Sequence, residues 1–284
     1  MTRPASPAGT GASPGPAKLI DPARFGPWAL VTGASSGIGR EFVRQVAADG
    51  ISVVLAARRV AALEALGREI AQRWGVEYRA IEVDLTKPDF LVTIDNATRD
   101  VDIGLVISNA GDAIPGEFLT ADRERMHAIV RVNVLANLDI SHHFGRRLAA
   151  RQGGGLVLVG ALGALDGVPF MANPAATKAY VYSLGRALHI ELAKHGVAVT
   201  VLMPGPTATP ALEKLGIEKP PMKPMGVERC VSEALRALNA NRATVVPGRL
   251  IRVMAAIMPA SVTRRQTSKM FEASLKLKAA GPGP

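Results

Sequence analysis

The sequence predicts an α/β fold: a doubly wound parallel sheet of about seven strands in three layers, helices on both faces. Three observations carry that prediction. Short apolar runs alternate with helical stretches along most of the chain. The runs are apolar throughout rather than in alternation, which is how strands covered on both faces read. They stop at Gly, Asn, Asp or Pro, residues that turn a chain into a loop. Right-handed crossovers then leave a ligand crevice at the carboxyl ends of the strands.

In chain order, the stretch over 1–19 is mostly Pro, Ala, Gly, Ser and Thr and holds no apolar segment. It reads as a disordered tail, and the missing apolar segment argues against a secretory signal. The strands are WALVTG (28–33), ISVVLAAR (51–58), VEYRAIEVD (76–84), IGLVISNAG (103–111), GLVLVG (155–160) and VAVTVLMPG (197–205). Helices are expected over 37–49, 60–74, 88–99, 118–150 and 173–195. A further helix (226–240) and strand (RATVVPG, 242–248) close the body. With no linker or repeat after the tail, 20–248 reads as one domain and 249–284 as a basic, partly helical extension.

Composition narrows the classes. Hydrophobic residues make up 48% of the 284 and aromatics only 4%, so aliphatic side chains must fill the core. Cys230 is the single cysteine, which excludes an internal disulfide or a multi-cysteine metal site. No metal is expected, and a reducing, cytoplasmic compartment is. No apolar run reaches the ~18–20 residues a membrane span needs. The net charge of +10 is concentrated: Arg249 to Lys278 holds seven cations against one acid, Glu272. No nucleic-acid module accompanies that charge, so no nucleic-acid partner is expected. A solvated helical face, a weak contact with an anionic membrane, and a flank to an oligomer interface are the readings of this segment.

VTGASSGIGRE, 31–41, lies where the first strand meets its helix. Its glycines, Gly33, Gly37 and Gly39, allow a tight turn and let backbone N–H groups approach a pyrophosphate at a helix N-terminus. Ser35, Ser36 and Ile38 complete this loop, and its strand–loop–helix setting makes the fold Rossmann-type. The second strand ends in Arg58 and Arg59. An acid here would bind a ribose 2′-hydroxyl; arginine instead matches a 2′-phosphate, so NADP(H) is the expected cofactor, with Arg58 the first candidate and Arg59 the second.

TGASSGIG, Asp84–Leu85, the NAG at Asn109–Gly111, Asn133 in VNVLAN, Lys178 in AATK and PGPTAT at 204–209 occur in one order across about 27–210. In these motifs the chain resembles the short-chain dehydrogenase/reductase family. The resemblance implies that Asp84 and Leu85 lie at the adenine and that Asn109, Ala110 and Gly111 line the cofactor crevice. It further implies that Pro204 and Gly205 lead to Thr207 or Thr209 at the nicotinamide amide, and that the protein is a homodimer or homotetramer through the helices at 118–150 and 173–195. Family members reduce carbonyls with a serine and a tyrosine at the substrate oxygen. A lysine lowers the tyrosine pKa and holds the ribose, and an asparagine anchors a proton-relaying water.

Asn133 and Lys178 match that scheme. The serine position falls on Ala161 and the tyrosine position, four before Lys178, on Pro174; the two mismatches keep the thirteen-residue separation. The chain therefore resembles an atypical member that lacks both hydroxyls. Asn173-Pro174 is expected to cap and begin a helix. Tyr180 and Tyr182 are expected to pack in the core, His142 and His143 lie mid-helix, and Asp166 and Asn173 are the polar substitutes worth testing. Hydride transfer to an acceptor that needs no tyrosine proton is the first reading: an iminium or imine, an activated C=C, or a ketone through water. A silent NADP(H)-binding sensor or interaction protein, and a non-redox catalyst of cyclisation or elimination, are the alternatives. A lid is expected over 206–225, where Leu212, Leu215, Met222 and Met225 suggest a small apolar organic substrate.

Overall fold

The structure is a computed structural model that describes residues 18–215 and 223–280, with side chains to residue 275 in the last helix. The seven strands are β1 (Trp28–Thr32), β2 (Ser52–Ala57), β3 (Tyr78–Glu82), β4 (Ile103–Ser108), β5 (Gly154–Val159), β6 (Val197–Leu202) and β7 (Thr244–Val245). They form one sheet in the order β3-β2-β1-β4-β5-β6-β7, parallel throughout. The order reverses between β1 and β4, so their carboxyl ends open the crevice.

Helices α1 (Pro22–Phe25), α2 (Gly37–Ala48), α3 (Val60–Trp74) and α4 (Phe90–Asn96) follow in the first half. Then come α5 (Arg123–Val130), α6 (Ala136–Arg151), α7 (Ala172–Glu191), α8 (Pro210–Lys214) and α9 (Val227–Asn239). The extension forms α10 (Arg249–Ile257) and α11 (Ala260–Ala280).

Alternate strand residues feed two cores. Val31, Leu55 and Ile107 pack with Phe42 of α2, Leu63 of α3 and Leu235 of α9. Leu30, Val54 and Val106 pack on the other face with Ile94 of α4, Phe144 of α6 and Val181 of α7. Burial on both faces is why β1, β2 and β4 to β6 carry no polar alternation. β3 departs from that expectation. It lies at the sheet edge, and its Tyr78, Arg79 and Ala80 are only half-buried.

Several boundaries shift for local reasons. The stretch expected as one helix over 118–150 is a 3-10 turn (Phe118–Thr120), then α5, a π-helical turn (Arg131–Leu135) and α6. Asp122 breaks it by capping α5, its carboxylate accepting from the Glu124 amide at 2.9 Å. The helix expected over 88–99 shortens to α4. Residues 1–17 of the expected tail lie outside the described residues, as does Met222. Leu19 and Ile20 are anchored, both donating backbone N–H bonds to the Asp49 carboxylate at 3.0 Å.

Candidate active site

The glycine-rich loop is locked onto the end of β4. Thr32 Oγ1 accepts from the backbone amides of Asn109 and Ala110 at 3.0 and 3.1 Å, and Asn109 Nδ2 donates to the Thr32 carbonyl at 3.0 Å. Gly33 turns at φ +65 against Ala110. A methyl on Gly39 would sit 2.3 Å from the Gly33 carbonyl oxygen. Helix and strand touch here as they do where a pyrophosphate is brought against backbone amides. The first turn of α2 has no side-chain cap and no acidic residue, leaving its amides to an anion. Among the described residues, loop and helix start thus fit a dinucleotide phosphate.

Arg58 and Arg59 stand exposed at the end of β2, beside this loop. Arg59 Nη2 donates to Ser35 Oγ at 3.1 Å. Asp84, after β3, forms a turn in which its carboxylate accepts from the amide and hydroxyl of Thr86 at 3.0 and 2.8 Å. Burial works to raise its pKa, but the Thr86 bonds with Arg58 and Lys87 outweigh burial and hold it below the usual carboxylate range. Leu85 is buried beside it.

The chemical end is built from three elements. Lys178, on α7, donates from Nζ to the Val159 carbonyl at the end of β5, at 2.8 Å. Burial pulls its ammonium down to about 8. Asn133, buried within the π-turn, accepts at Oδ1 from the Asp112 amide at 2.9 Å. Its Nδ2 donates to the Asp112 carbonyl at 2.9 Å and to Thr177 Oγ1 at 2.8 Å. Lys178 Nζ and Asn133 Oδ1 each lie 3.0 Å from where a side chain on Gly111 would begin, so a methyl there would crowd both. The structure thus gathers Asn109, Gly111, Asn133 and Lys178 at one crevice end, with Thr32, Asp112 and Thr177 as supports that sequence reading did not single out. Thr32 and Thr177 lie within the quoted motifs TGASSGIG and AATK, and only their bonds distinguish them from ordinary threonines.

Ala161 leads into a 3-10 turn (Leu162–Asp166) and offers no hydroxyl. Pro174 is buried in the first turn of α7, four residues before Lys178. The expected start of that helix is corrected. α7 begins at Ala172 with Met171 before it, and Asn173 is not the cap. Asn173 Nδ2 instead donates to the Met126 carbonyl of α5 at 3.0 Å. Proline is tolerated because a first-turn N–H has no helical partner. Tyr180 is also corrected: it is 36% exposed rather than core. Tyr182 is half-buried, its hydroxyl accepting from Arg186 at 3.2 Å. His143 lies 2.9 Å from Asp95 of α4, away from Lys178, and Asp166 is exposed. Thr207 is buried and donates to the Gly205 carbonyl at 3.0 Å, and Thr209 donates to the Thr207 carbonyl at 3.3 Å.

The short chain dehydrogenase family model matches residues 27–219. The 7beta-hydroxysteroid dehydrogenase of Collinsella aerofaciens is 30% identical over 76% of this chain and 84% of its own. A very-long-chain 3-oxoacyl-CoA reductase of Neurospora crassa is 33% identical over 63% of this chain, a match spanning 55% of that protein. Among solved structures, a 7beta-hydroxysteroid dehydrogenase aligns with TM-score 0.80 at 27% identity, over 87% of this chain and 98% of that one. A short-chain dehydrogenase from Sphingobium yanoikuyae in complex with NADPH aligns with TM-score 0.75 at 30% identity, over 81% and 92%.

Proposed function

This chain belongs to the short-chain dehydrogenase family, and from that premise we propose that it is an NADP(H)-dependent oxidoreductase whose hydride acceptor needs no tyrosine proton donor. One observation carries the reading. Lys178 and Asn133 keep their places at the crevice end, while Ala161 and Pro174, at the positions of the family's serine and tyrosine, bring no hydroxyl. NADPH, when bound, supplies the hydride. Gly33, Gly37 and Gly39 admit its pyrophosphate to the α2 amides, Arg58 and Arg59 take the 2′-phosphate, and Lys178 holds the nicotinamide ribose. Thr207 and Thr209 border the nicotinamide.

A ketone loses roughly 10²–10⁴ in rate without a placed acid. An iminium acceptor already carries the charge that hydride neutralises, and an activated C=C or a ketone served by water follow it. The steroid and very-long-chain acyl skeletons in the relatives' names support an apolar organic substrate. We place the subunit contact of a homodimer or homotetramer on α6 and α7, where Leu138 and Ile190 stand exposed.

The test is to incubate the protein and NADPH with cyclic imines, enones and ketones while following absorbance at the nicotinamide band. Oxidation with imines or enones, and ketone turnover at least about 100-fold slower, is expected. Ketone reduction as fast as imine reduction would overturn the reading. Tight NADPH binding with no turnover of any class favours the second reading, a silent NADP(H)-binding module; the engagement of both Asn133 amide hydrogens and of its oxygen by Asp112 and Thr177 is the observation on its side.

A further inference from the structure

We propose that α10, with the basic start of α11, is a docking surface for an anionic lipid bilayer. Leu250, Val253 and Ile257 recur at steps of three and four along α10 and so form one ridge. They stand 70%, 52% and 74% exposed. The other side of the helix is fixed to the body. Ile251 is buried with its side chain over Gly205 and Gly248. Arg252 holds Glu233 at 3.4 Å and the Val246 carbonyl at 3.2 Å. The ridge is therefore held outward.

Along the chain from 249 to 271 the charge has one sign. Arg249, Arg252, Arg264, Arg265 and Lys269 fall between residues 249 and 271, a stretch with no acid. Among the described residues, the ion pair of this stretch is Arg252 with Glu233; Arg264 spends its contact on the Asp166 carbonyl, at 3.3 Å. An apolar ridge with a cationic border is how a helix lying in the plane of a bilayer interface is built. α10 spans about 14 Å, under half the ~30 Å hydrocarbon core, so it lies on the membrane rather than across it.

The competing occupant is a second copy of this chain. A two-fold contact through the ridge would set the same arginines of both copies against each other. An anionic surface instead gains from each cation. The location also fits. Ile251 packs at Gly205, which follows β6, and Leu162, which follows β5, packs at the same glycine. α11 is tied to the crevice loops by the Arg264 bond and by Ser274 Oγ donating to the Leu215 carbonyl at 3.3 Å. The docking helices thus belong to the crevice end of the sheet. An apolar substrate dissolved in lipid would meet that end, a consequence that rests on the proposed function, whereas docking itself does not.

The test uses the full chain, without substrate, sedimented with vesicles of phosphatidylcholine alone or mixed with phosphatidylglycerol. At low salt, partition onto the anionic vesicles is expected to exceed that onto neutral ones by at least about 10-fold, and to fall as salt is raised. Leu250→Ser/Val253→Ser/Ile257→Ser should lower anionic binding about 10-fold. Arg249→Gln/Arg265→Gln/Lys269→Gln should remove the anionic preference. NADPH binding reports that each variant is folded, and Ile257→Ser alone replaces the triple serine variant if that one fails to bind. No partition of the native protein onto anionic vesicles overturns the proposal, as does serine-variant binding equal to the native level. It is also overturned if the serine variant sediments as a smaller species than the native protein in free solution, which assigns the ridge to contact between copies.

Discussion

Lys178 carries its proton into surroundings that disfavour it: burial pulls the ammonium down to about 8, from an ordinary 10.5. Between those values the unfolded chain binds the proton and the folded one does not, so stability rises with pH across the window. Below about 8 the folded state holds a buried charge and the penalty is constant. The apo protein and a Lys178→Met variant separate this from other titrations. Methionine is expected to show its greatest relative stability near neutral pH, and to lose on the order of 2 kcal/mol of it by about pH 10. Thermal unfolding at several pH values checks the slope; a stability difference flat with pH would mean the ammonium is solvated. At the opposite end of the crevice, Arg58 and Arg59 are exposed and near the loop. Charge-assisted bonds to a phosphate are worth about 1.5–3 kcal/mol. Arg58→Ala/Arg59→Ala should therefore weaken NADPH binding by roughly 10–100-fold, most of it from Arg58, and leave NADH unchanged, as read by fluorescence titration. These residues were legible in the sequence because their roles follow from side-chain type at a strand end. Thr177 was not, since its role exists only through the Asn133 amide folded against it.

The π-turn of residues 131–135 shows how an element can serve a single side chain. It sits between α5 and α6 and buries Asn133. Asn133 then ties the loop after β4 to α7 through three bonds. Asn133→Ala takes a partner from the buried Thr177 hydroxyl and releases the backbone of the exposed Asp112, and a loss of roughly 1–3 kcal/mol in urea unfolding is expected. Helix periodicity runs unbroken through this stretch, so the sequence shows one long helix; the extra residue in the turn answers a tertiary contact that local propensity does not carry. The start of α7 was misread for a related reason. Asn173 and Pro174 have the chemistry of a cap and a first helical residue, but the Met126 carbonyl claims the Asn173 amide and the helix begins before it. Because that helix still presents position 174 four residues before Lys178, the hydroxyls we propose to be absent from the site are open to restoration. Ala161→Ser/Pro174→Tyr is expected to raise ketone reduction at least about 100-fold over the native protein, followed by NADPH consumption. An inert double variant that still binds NADPH would show that these are not the acid and oxyanion positions.

At the scale of the molecule, the layers, the parallel sheet and the crevice were all legible, because continuous apolar strands between helices leave few ways to cover both faces of a sheet. What the chain does with its outer surface was not, because exposure is decided by packing rather than by residue type. Tyr180 and Ile190 illustrate this: both have core chemistry, yet they stand 36% and 73% exposed on α7, with Ser183 and Ala187 exposed on the same stripe. This stripe lacks a formal charge along its centre, unlike the cation-bordered ridge of α10. The two surfaces should therefore take different occupants. A neutral stripe on a long helix can meet its own copy across a two-fold axis without like-charge repulsion, and burying each large apolar side chain contributes about 1.5–3 kcal/mol. The native protein is expected to sediment as a dimer or tetramer. Tyr180→Glu/Ile190→Glu, which sets carboxylates against each other across the axis, should weaken association by at least about 100-fold and yield a monomer that still binds NADPH. Leu250→Ser/Val253→Ser/Ile257→Ser should keep the native size. A glutamate variant that stays oligomeric would move the subunit contact off α7 and leave Ile190 without a partner in this account.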